Sequence, residues 1–171
     1  TGTAISMTGI ICQKSVQFTN AHFSGDVLLA DSQLTAGIQT NGITTDDAIE
    51  IDCSGVDILQ GTIDTANDAA LYDVTGATLG EVSFVDSGGI TCFRFRNTRF
   101  DGFDFGTHKE ILAANGWRLH DRTTDATLAE LENLYLRAKN GANGVGETRA
   151  AAEFFTHEMR YRRLGYRQQL M

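Results

Sequence analysis

The sequence of 171 residues contains no proline. Proline cannot donate a backbone hydrogen bond, so its absence suits a chain in which nearly every N–H is bonded to a neighbouring strand. Cysteine is scarce. Cys12, Cys53 and Cys92 are odd in number, far apart and outside any CxxC pair. This argues against a disulfide framework or a zinc site and leaves three small buried hydrophobes of a reducing compartment. No apolar run approaches the ~20 residues that span a bilayer, and no signal-peptide pattern is present. The chain opens on Thr1 rather than Met, which reads as a processed start or a piece of something longer. Positive charge is also in deficit. With 14 basic and 22 acidic residues the net charge is −8, which disfavours direct nucleic-acid binding. The deficit is uneven: 1–107 carry fourteen acids and four bases, 108–171 eight acids and ten bases. That asymmetry divides the chain into two parts, 1–107 and 108–171.

What is present is a cadence of five. Phe95, Phe100 and Phe105 fall five apart, with Phe93, Thr98 and Phe103 two residues before each. Helices bury every third or fourth position and flat strands every second, so neither gives this period. A backbone that points two alternate side chains inward and then turns a corner does. Four such sides make a square coil, and stacked coils make a β-solenoid. The same spacing runs through Phe18, Phe23 and Leu28, then Ile38, Ile43, Cys53, Ile58 and Ile63, with slips near 29–34, 64–78 and 87–89. Ala69/Leu71, Ala77/Leu79 and Val82/Phe84 are read as inward pairs. Thr19-Asn20, Ser24-Gly25, Ser54-Gly55 and Asp101-Gly102 supply corner residues.

Val16-Gln17-Phe18-Thr19-Asn20, Ala21-His22-Phe23-Ser24-Gly25 and Thr98-Arg99-Phe100-Asp101-Gly102 resemble the degenerate repeats of the pentapeptide-repeat family. The resemblance covers about residues 16–107. It implies a right-handed quadrilateral β-helix with roughly twenty residues per coil, each coil ~4.8 Å above the last, in four to five coils. Phe93 and Phe103 exceed the family's small pocket and point to a wider last coil.

The remainder reads as helix. Thr107-His108-Lys109-Glu110 resembles a capping box ahead of a short helix stopped by Gly116, with Trp117 and Leu119 as a lid over the last coil. Thr127-Leu128-Ala129-Glu130 is a second capping box for a helix ending at Asn140-Gly141. A third helix from Glu147 to Tyr161 or beyond is expected to bury Ala151, Phe154, Phe155 and Met159, with Glu158 and Arg162 on its outer side. This segment resembles the helical hairpin that follows the repeats in microbial membrane-associated and channel-like members of the family. The fold class expected is therefore mainly β: a β-helix followed by a small α-helical cap and hairpin.

Catalytic signatures are wanting. His22, His108, His120 and His157 lack metal-ligand spacing, there is no GxSxG elbow, and Gly141–Gly146 reads as a hairpin turn rather than a phosphate loop. No cofactor is expected. Asp46, Asp47, Glu50, Asp52 and Asp57, with Asp64 and Asp68 beyond, form an acidic face that reads as solvated. Arg94, Arg96 and Arg99 alternate with inward Phe and are expected to pair with Asp101, Asp104 and their neighbours. Arg160, Arg162, Arg163 and Arg167 beside Tyr161, Leu164, Tyr166 and Leu170 fit either an anionic membrane surface or a helix end whose dipole favours cations.

These readings converge on a non-enzymatic scaffold in the cytoplasm, displaying an acidic surface to a protein partner, with a membrane surface as a second contact. Two alternatives stand beside it. The negative first part admits a DNA-mimicking topoisomerase inhibitor, and Asp46, Asp47 or Asp52 admit a carbohydrate-active β-helix enzyme.

Overall fold

The computed structural model describes residues 2–64, 69–85, 89–120 and 126–170; Asp68 and the Ser87-Gly88 interruption lie outside them. The chain winds into a parallel β-solenoid of about four turns. The first coil holds β1 (Gly2–Ser6), β2 (Ile11–Cys12), β3 (Val16–Thr19) and β4 (His22–Phe23). The second repeats it with β5 (Gly25–Leu28), β6 (Gln33–Leu34), β7 (Ile38–Asn41) and β8 (Thr44–Thr45). In the third, β9 (Ile49–Asp52) is followed by the long β10 (Asp57–Asp64), which pairs with both β6 and β7. Two sides of the coil there become one. The fourth coil follows suit with β11 (Ala70–Asp73) and β12 (Thr78–Val85), and β13 (Phe93–Arg94) and β14 (Arg99–Phe100) begin a fifth. The first side stacks as β1-β5-β9-β11-β13 and the second as β2-β6-β10-β12-β14, in parallel throughout.

A column of left-handed residues fixes the corner between these two sides. Gly9, Asp31, Gly55, Gly76 and Asn97 have φ of 65, 56, 65, 70 and 53°. Each but the last bonds through its N–H to a carbonyl of the next coil, to Ala30, Ser54, Thr75 and Arg96 in turn. Gly, Asp and Asn are the residues that tolerate this conformation. Successive members of the column are separated by somewhat more than four pentapeptides, and not by a constant amount. The corners and the fused side need that extra backbone.

The inward columns are dry. Phe23, Ile38, Ile43, Cys53, Ile58, Ile63, Leu79 and Phe84 are buried as the cadence of five requires, while Phe18 is partly buried against them. Each such side chain adds about 1.5–3 kcal/mol of burial. Where the cadence slips, the strand's own alternation decides. Val27 and Leu29 are fully buried instead of Leu28, and Ala70 and Tyr72 instead of Leu71. Above them the core becomes aromatic, with Phe93 stacked on Phe84 and Tyr72 at 4.2 and 5.1 Å between ring centroids. Phe103 and Phe105 carry that stack upward to Phe154 of the cap, 4.8 Å from Phe105.

The cap holds α1 (Lys109–Ala114), α2 (Leu128–Gly144) and α3 (Thr148–Gln169). The box expected at Thr107 does not form. Asp104 instead accepts from Gly106 N–H at 2.8 Å and Thr107 Oγ1 at 2.8 Å, capping a 3-10 turn at Phe105–His108 that runs into α1. Gly116 ends α1 at φ 62° and Trp117 lies buried, edge-on to Phe154. The second box does form, with Thr127 and Glu130 bonded reciprocally. Helix α2 runs past Gly141 to Gly144, because Gly141 lies against Phe100, where a side chain has no room. On α3 the inward residues are Ala150, Ala151, Phe154, Glu158 and Tyr161, whereas Phe155 is half exposed and Met159 partly buried. Glu158 is not on the outer side: it lies buried between the helices, held by Lys139 at 2.7 Å and Arg162 at 2.6 Å.

Candidate functional site

The first side of the solenoid places residues from successive coils in register. Leu28, Asp52, Asp73 and Arg94 are paired in register across four coils, and the Asp26 carboxylate accepts from Glu50 N–H at 2.9 Å. Asp52 and Asp73 make the same local turn, each accepting through Oδ1 from the N–H two residues on, at 2.9 Å. That repeated bond fixes both carboxylates at the strand end. Arg94 Nη1 donates to Asp73 Oδ2 at 2.6 Å and reaches Glu50 Oε2 at 3.5 Å. Two carboxylates thus meet one guanidinium, and Asp26 and Asp52 stand close to Glu50. Partial burial pushes the Glu50 carboxyl above its usual range; Arg94 opposes this, and Asp73, Asp52 and Asp26 add to it.

The expected acidic residues are spread from the turn after β8 to the second side of the third coil rather than forming one patch. Glu50 and Asp52 stand on the first side. Asp57 heads the second, 3.7 Å from Arg99, in register with Gln33 and Thr78. Asp46 and Asp47 are exposed between β8 and β9, where His22 Nε2 lies 3.2 Å from Asp46. Asp26 and Asp73 were absent from the expectation, and Arg94 pairs down the stack rather than with Asp101 or Asp104. The signal for them is a spacing of one whole coil. Asp26 and Glu50 lie 24 positions apart. Asp73 and Arg94 lie 21 apart, and the step from Asp52 to Asp73 is the same.

The basic cluster also divides. Arg162 faces α2 and is bonded to Glu132 and Glu158. Arg160, Arg163 and Arg167 are exposed or partly so and border, with Phe155, Met159 and Leu164, an open groove of about 470 Å³ along α3. Among the described residues, no helix is long and apolar enough to cross a membrane, and no group of three or more His, Cys, Asp or Glu is placed to hold a metal ion.

Comparison of the chain with family models, curated proteins and solved structures finds no match in any of the three. The reading of function therefore rests on this chain's own surfaces.

Proposed function

We propose that the protein is a non-enzymatic scaffold that holds a cationic macromolecular partner, a protein, against the first side of its solenoid. The observation carrying this reading is the in-register ladder of Asp52, Asp73 and Arg94 with Asp26 and Glu50 beside it. Asp73 is buried and bound to Arg94, so a partner meets Asp26, Glu50 and Asp52, whose spacing the stacked coils fix at little cost in ordering entropy. In finer detail we read the solenoid as pentapeptide-repeat-like, with a cytoplasmic setting. The exposed face of α3 supports a second contact, to an anionic membrane surface, because Arg160, Arg163 and Arg167 share it with Phe155 and Leu164.

The test uses a fluorescent deca-arginine peptide as the cationic probe and anisotropy as the readout. Affinity is expected to fall at least about tenfold in Glu50→Gln/Asp52→Asn, and with rising salt in the wild type. Equal binding by both proteins would remove the acidic ladder from the function. Cosedimentation with phosphatidylserine vesicles is expected to drop in Arg160→Ala/Arg163→Ala/Arg167→Ala and to persist in Arg162→Ala; pelleting that is unchanged in the triple variant refutes the membrane contact.

A further inference from the structure

The sides of the solenoid end at different heights beneath the cap. The first and second sides each stack five strands, closing with β13 and β14. A third side stacks β3, β7 and the far halves of β10 and β12, where Glu81 to Val85 lie in register on Gln60 to Asp64. Its fifth place holds no strand among the described residues, because the chain leaves the ladder after β14. Asp101 N–H still donates to the Leu79 carbonyl. Gly102 then turns at φ 98°, Phe103 enters the core, and the 3-10 turn at Phe105–His108 begins the cap.

β12 is left with an open edge inside the fold. In a parallel ladder, alternate residues direct their N–H and C=O to opposite neighbours. Val16 N–H and Asn20 N–H donate up the third side to the Gly37 and Asn41 carbonyls, so Ile38 between these faces upward. That phase passes in register from Ile38 to Gly61 to Val82, and turns the backbone groups of Val82 and Phe84 toward the empty place. No described residue is bonded to them from above. A groove of about 430 Å³ runs along this edge, with β12 as one wall and Asp104, Val145 and Glu147 on the other. His108 also lines it; this residue is 4% exposed and its Nε2 has no hydrogen-bond partner among the described residues.

The groove carries negative charge without a counter-ion. Glu81 and Glu147 form no ion pair among the described residues, and Asp104 accepts only from Gly106 N–H and Thr107 Oγ1. No Lys or Arg borders it. The first side differs, since Arg94 there neutralises Asp73.

We propose that this edge receives an extended, basic segment of a protein partner, which adds as the fifth strand of the third side. Strand addition satisfies the open N–H and C=O groups of Val82 and Phe84. Alternate side chains of the added strand point outward above Glu81 and inward above Val82, one strand spacing of ~4.8 Å away. A Lys or Arg in the outward row pairs with Glu81, and an apolar residue in the inward row meets Val82. The contact uses none of the residues of the acidic ladder, so it stands or falls separately from that surface.

A fluorescent octapeptide of alternating lysine and valine, followed by anisotropy, tests this. Binding is expected, with amide exchange at Val82 and Phe84 slowed at least about tenfold at saturation. Affinity should fall about tenfold in Glu81→Gln/Glu147→Gln and hold in Glu50→Gln/Asp52→Asn, which disables the first side instead. The same peptide methylated at every backbone nitrogen keeps its charge but cannot donate, and it should not bind. The proposal is overturned by absence of binding at about 1 mM peptide, or by equal binding of the methylated form, which charge alone would give. It is overturned too by an affinity that is lost in Glu50→Gln/Asp52→Asn and kept in Glu81→Gln/Glu147→Gln.

Discussion

Gly141 sits in α2 where the helix crosses the last coil, and replacing it measures how tightly the cap is seated. A Cβ built there would lie 2.5 Å from Phe100 Cβ and 2.7 Å from the Phe100 carbonyl oxygen. Both atoms belong to β14 or its immediate side chain, so neither can swing aside. Two effects oppose each other. Alanine is favoured over glycine within a helix by about 1 kcal/mol. Forcing a methyl group against fixed atoms costs about 1–3 kcal/mol, and contact with backbone puts this site at the upper end. Gly141→Ala should therefore destabilise by a net of about 1–2 kcal/mol, which for a chain of this size lowers the melting temperature by about 2–8 °C. Gly144, in the same helix, has nothing within 4 Å of the corresponding position. Gly144→Ala keeps the propensity gain without the clash and should be neutral or slightly stabilising. Differential scanning calorimetry of both variants decides the matter. A Gly141→Ala protein as stable as wild type would mean that α2 does not press on β14 as described.

Glu158→Ala removes the carboxylate that holds Lys139 and Arg162 together between α2 and α3. A loss of about 3 kcal/mol is expected in urea unfolding, the low end for breaking a buried pair because both cations keep access to water; a loss below about 1 kcal/mol, the range of an exposed pair, would contradict the clamp. Burial lowers the pKa of His108 and His157, and the buried His108 Nε2 and His157 Nδ1 have no hydrogen-bond partner among the described residues. Groups whose folded pKa is depressed bind protons more readily when unfolded, so their contribution is intact above about pH 6.5 and is lost as pH falls toward the folded values. Melting temperature should decline from about pH 7.5 to 5, and His108→Phe should flatten that decline; an unchanged slope would exclude His108 as a source. Glu50 acts with the opposite sign, since its raised pKa makes ionisation unfavourable in the folded state above about pH 4.5. Glu50→Gln is accordingly expected to raise the melting temperature at neutral pH, and an unchanged or lower value would contradict the crowding of carboxylates around it.

The solenoid is legible in the sequence because inward side chains and corners recur. Ile38, Ile58 and Phe100 point inward as their spacing requires, and the capping box at Thr127 forms as its residues predict. The cadence of five fails at Leu28 and Leu71, where a flat strand buries Val27 and Leu29, or Ala70 and Tyr72, by alternation alone. A better signal is the recurrence of Gly9, Asp31, Gly55, Gly76 and Asn97, each three positions before an inward Cys12, Leu34, Ile58, Leu79 or Phe100. Its intervals vary from coil to coil and so escape any search for a fixed period. The acidic ladder is half legible for the same reason: Asp26, Asp73 and Arg94 are neighbours only across whole coils. Glu158 defeats a sequence reading because its charge marks it as surface, and only the positions of Lys139 and Arg162 explain its burial.

The fusion of two sides in β10 and β12 bears on how such a shaft can lengthen. The chain advances by the same amount from β9 to β11 as from β10 to β12, for Asp52 stands beside Asp73 and Asp57 beside Thr78 with the same offset. A tandem duplication of one such coil would slide between coils of matching outline and leave every column unbroken. The junction of the second and third coils shows that the outline can change once, for the bend at Gly37 there lies against the middle of the unbroken β10. Growth by gene duplication is thus open to the upper half of the shaft, where each added coil meets neighbours of its own outline.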